Sequence, residues 1–483
     1  KLYYRNIIGI RRKKNCLIYM KWQRSKFDNS NRQSSESIKN SLSVFIGLIF
    51  FRLVLDYIYV HIISPIYAYS GFICERNISG FILSWGIYIV FFPLVKNIVL
   101  SNEEHISTII TTTIYLISFT PFTSLIYMGV IPDRLIITMC LYWCILLILL
   151  GFANRSMKKR SPVLYAGVYP LDDKLVVIIG IIASLVVVFV SWIYTDFHLQ
   201  LDLEVYGQRS KAAAFAMPQI LRYMFSWSSA IIPLIFAYSV IHTKIIPAIW
   251  YLAVSFLSFG VDGSKTVLFM PILVLVVIIL AKKINFCQIK VILIYGITAV
   301  AIISAMIYKL RKSITLVSLF VRRVLYVPAI INVYYFDFFS SHEPDFFRSG
   351  FLSKLGATSP YTKYVDIPHT IGMVYYHNPN TGANNGLFSD AIANLGFMGI
   401  IIMPFFTTFV IWLFDRCTYG LDKRIILASA MYISFALVSS SLTTTLMTHG
   451  LIVMMVITSV MKRDDYIVEN MIGKEKWIKA QLT

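Results

Sequence analysis

Residues 175–194 read LVVIIGIIASLVVVFVSWIY, twenty positions without a charge. A helix of that length rises about 30 Å, the thickness of a bilayer's hydrocarbon core. Comparable apolar runs fall at about 43–61, 79–96, 106–126, 133–152, 220–241, 245–260, 266–281, 290–308, 390–414, 425–442 and 449–461. With 175–194 they predict an all-α integral membrane protein of about 12 transmembrane helices. Composition agrees: 57% of the 483 residues are hydrophobic and 14% charged, against about 45–50% apolar and about 25% charged in soluble domains. Too few polar residues remain to clothe a globular surface, so most of the chain has lipid as its solvent.

The formal charge of +20 would point to nucleic acid in a soluble chain. Here the basic residues are topology signals, and no nucleic-acid partner is expected. Arg11, Arg12, Lys13, Lys14, Lys21, Arg24 and Lys26 hold the N-terminal tail in the cytoplasm. Counting spans from there puts Arg155, Lys158, Lys159 and Arg160 on the same side, then Lys282, Lys283 and Lys290, then Arg416, Lys423 and Arg424, then Lys462 and Arg463. Three regions follow: a basic cytoplasmic tail over 1–42, a membrane domain over 43–461, and a cytoplasmic tail over 462–483. Met20 opens an alternative start, which would leave residues 1–19 outside the native chain. Residues 1–42 lack the apolar core of a cleavable leader. The expected location is the cell inner membrane, multi-pass, with both termini cytoplasmic.

Two loops then face outward, 195–219 and the much longer 309–389. A long loop translocates largely regardless of charge, and one of this length is usually functional. Within it, residues 316–339 (LVSLFVRRVLYVPAIINVYYFDFF) are apolar and aromatic. This stretch is expected to lie along the outer surface or to form a re-entrant pair of half-helices.

The sequence carries no HExxH, no CxxC pair and no outward DxD, and Asp172-Asp173 falls on the cytoplasmic side. No metal site is expected. P-loop and GxSxG patterns are absent too. The six cysteines leave only Cys74 in an outward loop, which argues against a disulfide framework. Polar chemistry collects instead on the outer face. Arg209, Arg322 and Arg323 together suit a diphosphate, because guanidinium binds phosphate oxygens two at a time. Arg52 and Asp56, four apart inside the first run, are either a functional pair or a self-neutralising one. The segment 377–399, HNPNTGANNGLFSDAIANLGFMG, passes from a Gly/Asn-rich loop straight into a membrane helix. Ser389 or Asn385 is placed to cap that helix, and its N-terminus favours anions.

At these residues the chain resembles the O-antigen polymerase family, the oligosaccharide repeat-unit polymerases of surface-polysaccharide synthesis. Four features carry the resemblance: a dozen spans with a large late outward loop; Arg209 in VYGQRS; the turn Gly263-Ser264-Lys265 followed by RRVLYVP; and the entry NTGANNGLFSDAIANLGFMG. The family more often has Arg where this chain has Lys265, and Arg348 matches no family position cleanly. The resemblance implies a GT-C-like glycosyltransferase architecture with a large, partly helical periplasmic loop. It implies that a growing glycan passes from undecaprenyl diphosphate to the non-reducing end of a lipid-linked repeat unit, without metal, nucleotide or other cofactor. Lipid-linked oligosaccharide is then both donor and acceptor, with a chain-length regulator and a flippase as partners. In this scheme Arg209, Arg322 and Arg323 bind the donor diphosphate, and Lys265 binds substrate without the two-pronged phosphate grip of an Arg. The 377–390 segment, with Asn384 and Asn385, holds the acceptor. The base is sought in the order His377, Asp390, His369. Two alternatives differ in acceptor or in class. An O-antigen ligase usually has a His-Asn pair where this chain reads Asn384-Asn385. A lipid-linked oligosaccharide flippase would show pseudo-repeated halves and short loops.

Overall fold

The structure is a computed structural model that describes residues 40–101, 103–159, 173–198, 215–263, 265–282, 284–364 and 366–463. Its regular elements are helices. In chain order they are α1 (Asn40–Ser70), α2 (Ile78–Val99), α3 (Ile106–Tyr127), α4 (Asp133–Lys159), α5 (Asp173–Thr195), α6 (Gln219–Ile241), α7 (Ile245–Asp262), α8 (Lys265–Ala281), α9 (Phe286–Arg311), α10 (Val317–Ser341), α11 (Ile367–Tyr376), α12 (Phe388–Thr418), α13 (Lys423–Ser439), α14 (Leu442–Met447) and α15 (Leu451–Val460). Among the described residues ten helices are long and apolar enough to cross a membrane. Nine of the ten fall on expected runs. The other three expected runs form the shorter helices α8, α13 and α15. The tenth long helix is α10, inside the segment read from sequence as a loop.

Hydrogen bonds between elements sort the helix ends into two groups. Lys290 Nζ donates to the carbonyls of Ile98 and Ser101, at 2.8 and 2.7 Å. The Ser107 amide donates to Asp415 Oδ1 at 2.8 Å, and Lys423 Nζ to the Ile284 carbonyl at 3.2 Å. Arg463 Nε reaches the Tyr419 carbonyl at 3.0 Å. These contacts bring the ends of α2, α12 and α15 together with the starts of α3, α9 and α13, at what we call the basic end. At the opposite end, the loop face, the Glu75 amide donates to the Met128 carbonyl at 2.9 Å and the Gly386 amide to the Val438 carbonyl at 3.0 Å.

This sorting decides what α10 does. Helix α9 leaves the basic end and α12 returns to it. The chain between them therefore crosses an even number of times, and α10 is the single long apolar helix among its described residues. Helix α10 therefore does not cross. Its contacts agree. Arg322 lies over the Tyr67 ring at 4.3 Å, the Tyr334 hydroxyl donates to the Ser70 carbonyl at 3.4 Å, and the Tyr335 hydroxyl donates to the Ala383 carbonyl at 3.1 Å. Early and late in the helix, the partners lie on the loop face. An apolar helix broken by two arginines can lie flat, because it has a polar stripe to turn away from lipid.

Helix α3 sits at the centre, buried from Ile106 to Ile126. Its threonines suit that position because each hydroxyl can bond a carbonyl of its own helix. Thr111, Thr112 and Thr113 donate to Ser107, Thr108 and Ile109 at 2.7, 2.7 and 2.8 Å. Beside α3, the buried Arg52 pairs with Asp56 at 2.9 Å and donates to Thr123 at 2.7 Å. Ser124 bonds Asp56 and lies 3.0 Å from the Tyr326 hydroxyl, which donates to the Leu55 carbonyl at 2.9 Å. The pair neutralises itself inside a polar knot that fastens α10 to α1 and α3.

Candidate functional site

The residues from 312 to 387 form a cap on the loop face, built from α10, two short 3-10 turns (Phe351–Leu355 and Thr362–Tyr364) and α11. Below it, α12 is broken. Gly396 has φ 57° and ψ −144°, outside helical space. A Cβ on Gly399 would stand 2.1 Å from the Ala391 carbonyl oxygen. In an unbroken helix those residues are two turns apart, so the half-helix 388–395 folds back on the spanning half. The carbonyls freed by the break are satisfied by the cap. The Asp345 and Phe346 amides donate to Ala393 and Asn394 at 2.8 and 3.0 Å, and the Phe347 amide donates to Asn394 Oδ1 at 3.0 Å. Backbone of this kind survives at membrane depth only where protein buries it. A folded-back half-helix therefore lies in the 377–399 entry, whereas 316–339 falls almost wholly within the single long helix α10.

Of the residues expected to hold the acceptor, Asn385 is buried. Its amide donates to the Pro328 carbonyl, Asn332 Oδ1 and Ser389 Oγ, each at 2.9 Å. It locks the half-helix to α10. Neither Asn385 nor Ser389 caps α12; Leu387 occupies that position with φ 50° and no side-chain cap. Asp390 is 3% exposed and both its oxygens are engaged: Oδ1 by the Asn394 amide at 2.8 Å, Oδ2 by the Leu442 amide at 2.8 Å. That carboxylate ties α12 to α14. Asn384, by contrast, is exposed.

The three candidate bases therefore stand differently. His377 is exposed and closes α11 in the left-handed conformation, φ 53°. His369 sits in the first turn of α11. Asp366 caps that helix, its Oδ1 accepting the His369 amide at 2.9 Å, and the same oxygen lies 2.6 Å from His369 Nδ1. A carboxylate oxygen accepts, so Nδ1 is the donor in this contact, and in a neutral imidazole the lone pair then falls on Nε2. Nε2 faces Gly382, where a Cβ would stand 3.7 Å from it and 3.2 Å from the Asn384 amide. The His369 and Asp366 side chains are 30% and 39% exposed, open enough for a substrate to reach. Sequence reading missed Asp366. Its signal was the order Asp366-Ile367-Pro368-His369, a capping residue, a proline in the first turn and a histidine three positions on.

Of the expected diphosphate ligands, Arg322 is half-buried, stacked on Tyr67 and bonded to Ser318 at 3.2 Å. Arg323 follows it on α10, also half-buried. Lys265 opens α8. Arg209 lies outside the described residues, with most of the 195–219 loop. An open depression on the loop face is lined by Cys74, Glu75, Arg76, Asn77, Ile78, Phe81 and Tyr127, none of them an expected site residue. Among the described residues no cluster of His, Cys, Asp and Glu could hold a metal ion. Comparison with protein-family models, curated proteins and solved structures gave no match.

Proposed function

We propose that the chain is a metal-independent glycosyltransferase of the O-antigen polymerase type, set in the inner membrane with its loop face in the periplasm. The observation that carries this reading is the His369–Asp366 dyad beside exposed Asn384, next to the segment on which the family resemblance rests. The basic end supplies the orientation, since dense Lys and Arg clusters stay cytoplasmic.

The chemistry follows from the dyad. Nε2 of His369 takes the proton from an acceptor sugar hydroxyl while Asp366 stabilises the imidazolium that forms. The hydroxyl oxygen attacks the anomeric carbon of the donor glycan. The anomeric C–O bond to the diphosphate breaks, and undecaprenyl diphosphate leaves with the electron pair. Arg322 and Arg323 meet the charge on that leaving group. In this scheme His369 moves ahead of His377 and of Asp390, whose oxygens are both occupied. Asn385 supports the site and Asn384 touches the acceptor.

A strain lacking the gene tests the reading when complemented with the wild-type chain or with Arg322→Ala. Wild type restores long O-chains, and Arg322→Ala leaves a single repeat on the core. Loss of all O-chain from the core in the deleted strain would indicate a ligase instead. Repeat units accumulating on the cytoplasmic leaflet would indicate a flippase.

A further inference from the structure

A second feature of the cap lies outside the dyad. On α10 and α11 the rings of Tyr334 and Tyr375 stack with centroids 4.5 Å apart and 11° between planes. Tyr376 meets Tyr334 edge-on at 5.6 Å and 85°. The Tyr375 hydroxyl donates to Asp337 Oδ2 at 2.5 Å, and Asp337 is exposed. The three rings are half-buried, so each keeps part of its surface open. Aromatic residues at this level are often a belt that meets lipid head groups. Here an anionic carboxylate sits at the edge of the stack, where it repels a lipid phosphate. A neutral ring with hydroxyls fits both parts: its C–H face covers the aromatic surface, and its hydroxyls donate to the carboxylate. Tyr375 is six residues beyond His369 on α11, about 9 Å along the helix axis and about 120° around it.

We propose that Tyr334, Tyr375 and Asp337 form a saccharide subsite that holds the acceptor glycan beside the reacting sugar at His369. This rests on the polymerase reading for its place in the reaction, though not for the binding itself. Tyr375 is a stacking residue, and Asp337 selects hydroxyl-bearing ligands.

The test uses the full chain in nanodiscs and, as probe, the lipid-free oligosaccharide cleaved by mild acid from the cell's own lipid-linked repeat units. Wild type binds it, read by saturation-transfer NMR. Tyr375→Ala and Asp337→Asn each raise Kd about tenfold or more, while Tyr375→Trp, which keeps a ring, stays near wild type. The Trp variant separates a lost stacking surface from a misfolded cap. No binding by wild type, or equal binding by Tyr375→Ala and Asp337→Asn, overturns the subsite. Elongation measured on the same samples tells the two readings apart. An unchanged acceptor KM in an active Tyr375→Ala enzyme removes the subsite alone. Binding that depends on both residues in a chain that elongates nothing keeps the subsite and removes the polymerase.

Discussion

Arg52 and Asp56 show what one residue can and cannot reveal from sequence. Their spacing made a pair legible, but left open whether the pair served chemistry or packing. The structure answers through partners that sequence could not name: Thr123 and Ser124 on α3 and Tyr326 on α10. With Arg52 fully enclosed, removing it strands a buried carboxylate. Arg52→Met should therefore lower the stability of the detergent-solubilised protein by about 3–5 kcal/mol, and the double variant Arg52→Met/Asp56→Leu should recover most of that. A stable Arg52→Met protein lacking activity would restore the functional reading. The histidines teach the same lesson. His377 and His369 were both legible as candidate bases, but choosing His369 depends on a cap at Asp366 that only the fold of α11 displays.

At the scale of elements, the apolar runs were legible because lipid demands them, and all twelve expected runs are helical. Two features were not legible. Run length cannot separate a helix that crosses from one that lies flat, so α10 is long enough to span yet rests on the loop face. Nor does the run 390–414 announce its break: the Gly396 backbone reverses the chain and turns the entry segment into a half-helix. Capping was no easier to read, since Asn385 and Ser389 do not cap α12 and the Asp366 cap was missed. Asp422 precedes α13, accepting the Arg424 amide at 2.8 Å and pairing with its guanidinium. Burial alone would raise its pKa, but the hydrogen bonds and charge of Arg424, with a smaller contribution from His242, hold it below 3.8. A carboxylate depressed in this way stabilises the fold above its unfolded value, and that stability is lost as pH falls through the folded value. Asp422→Asn keeps the capping oxygen and removes the charge. It should cost about 1 kcal/mol at pH 7 and nothing once the pH is well below 3.8. Melting curves of the two proteins across that range would show the gap close. A gap that persists in acid would mean the charge is not the cause.

For the whole molecule, the sorting of helix ends matters more than the number of spans. The dense basic clusters of the short described loops, Lys423 and Arg424 among them, gather at one end, while the 312–387 cap and the single Arg76 lie at the other. That parity is what makes a periplasmic reaction coherent. Leu355, 72% exposed in the cap, offers a direct check. In a chain whose own cysteines are replaced, Leu355→Cys should react with a membrane-impermeant maleimide added from the periplasmic side. Reaction only from the cytoplasm would reverse the orientation and remove the proposed reaction with it. The central claim is the transfer itself, with His369 as base. Purified chain in detergent, given undecaprenyl-diphosphate-linked repeat units and no metal, should build a ladder of longer glycans. The account predicts that His369→Ala slows the ladder by about 100- to 10,000-fold while His377→Ala leaves it within about threefold. A wild-type ladder from His369→Ala, or none from the wild type, would contradict it.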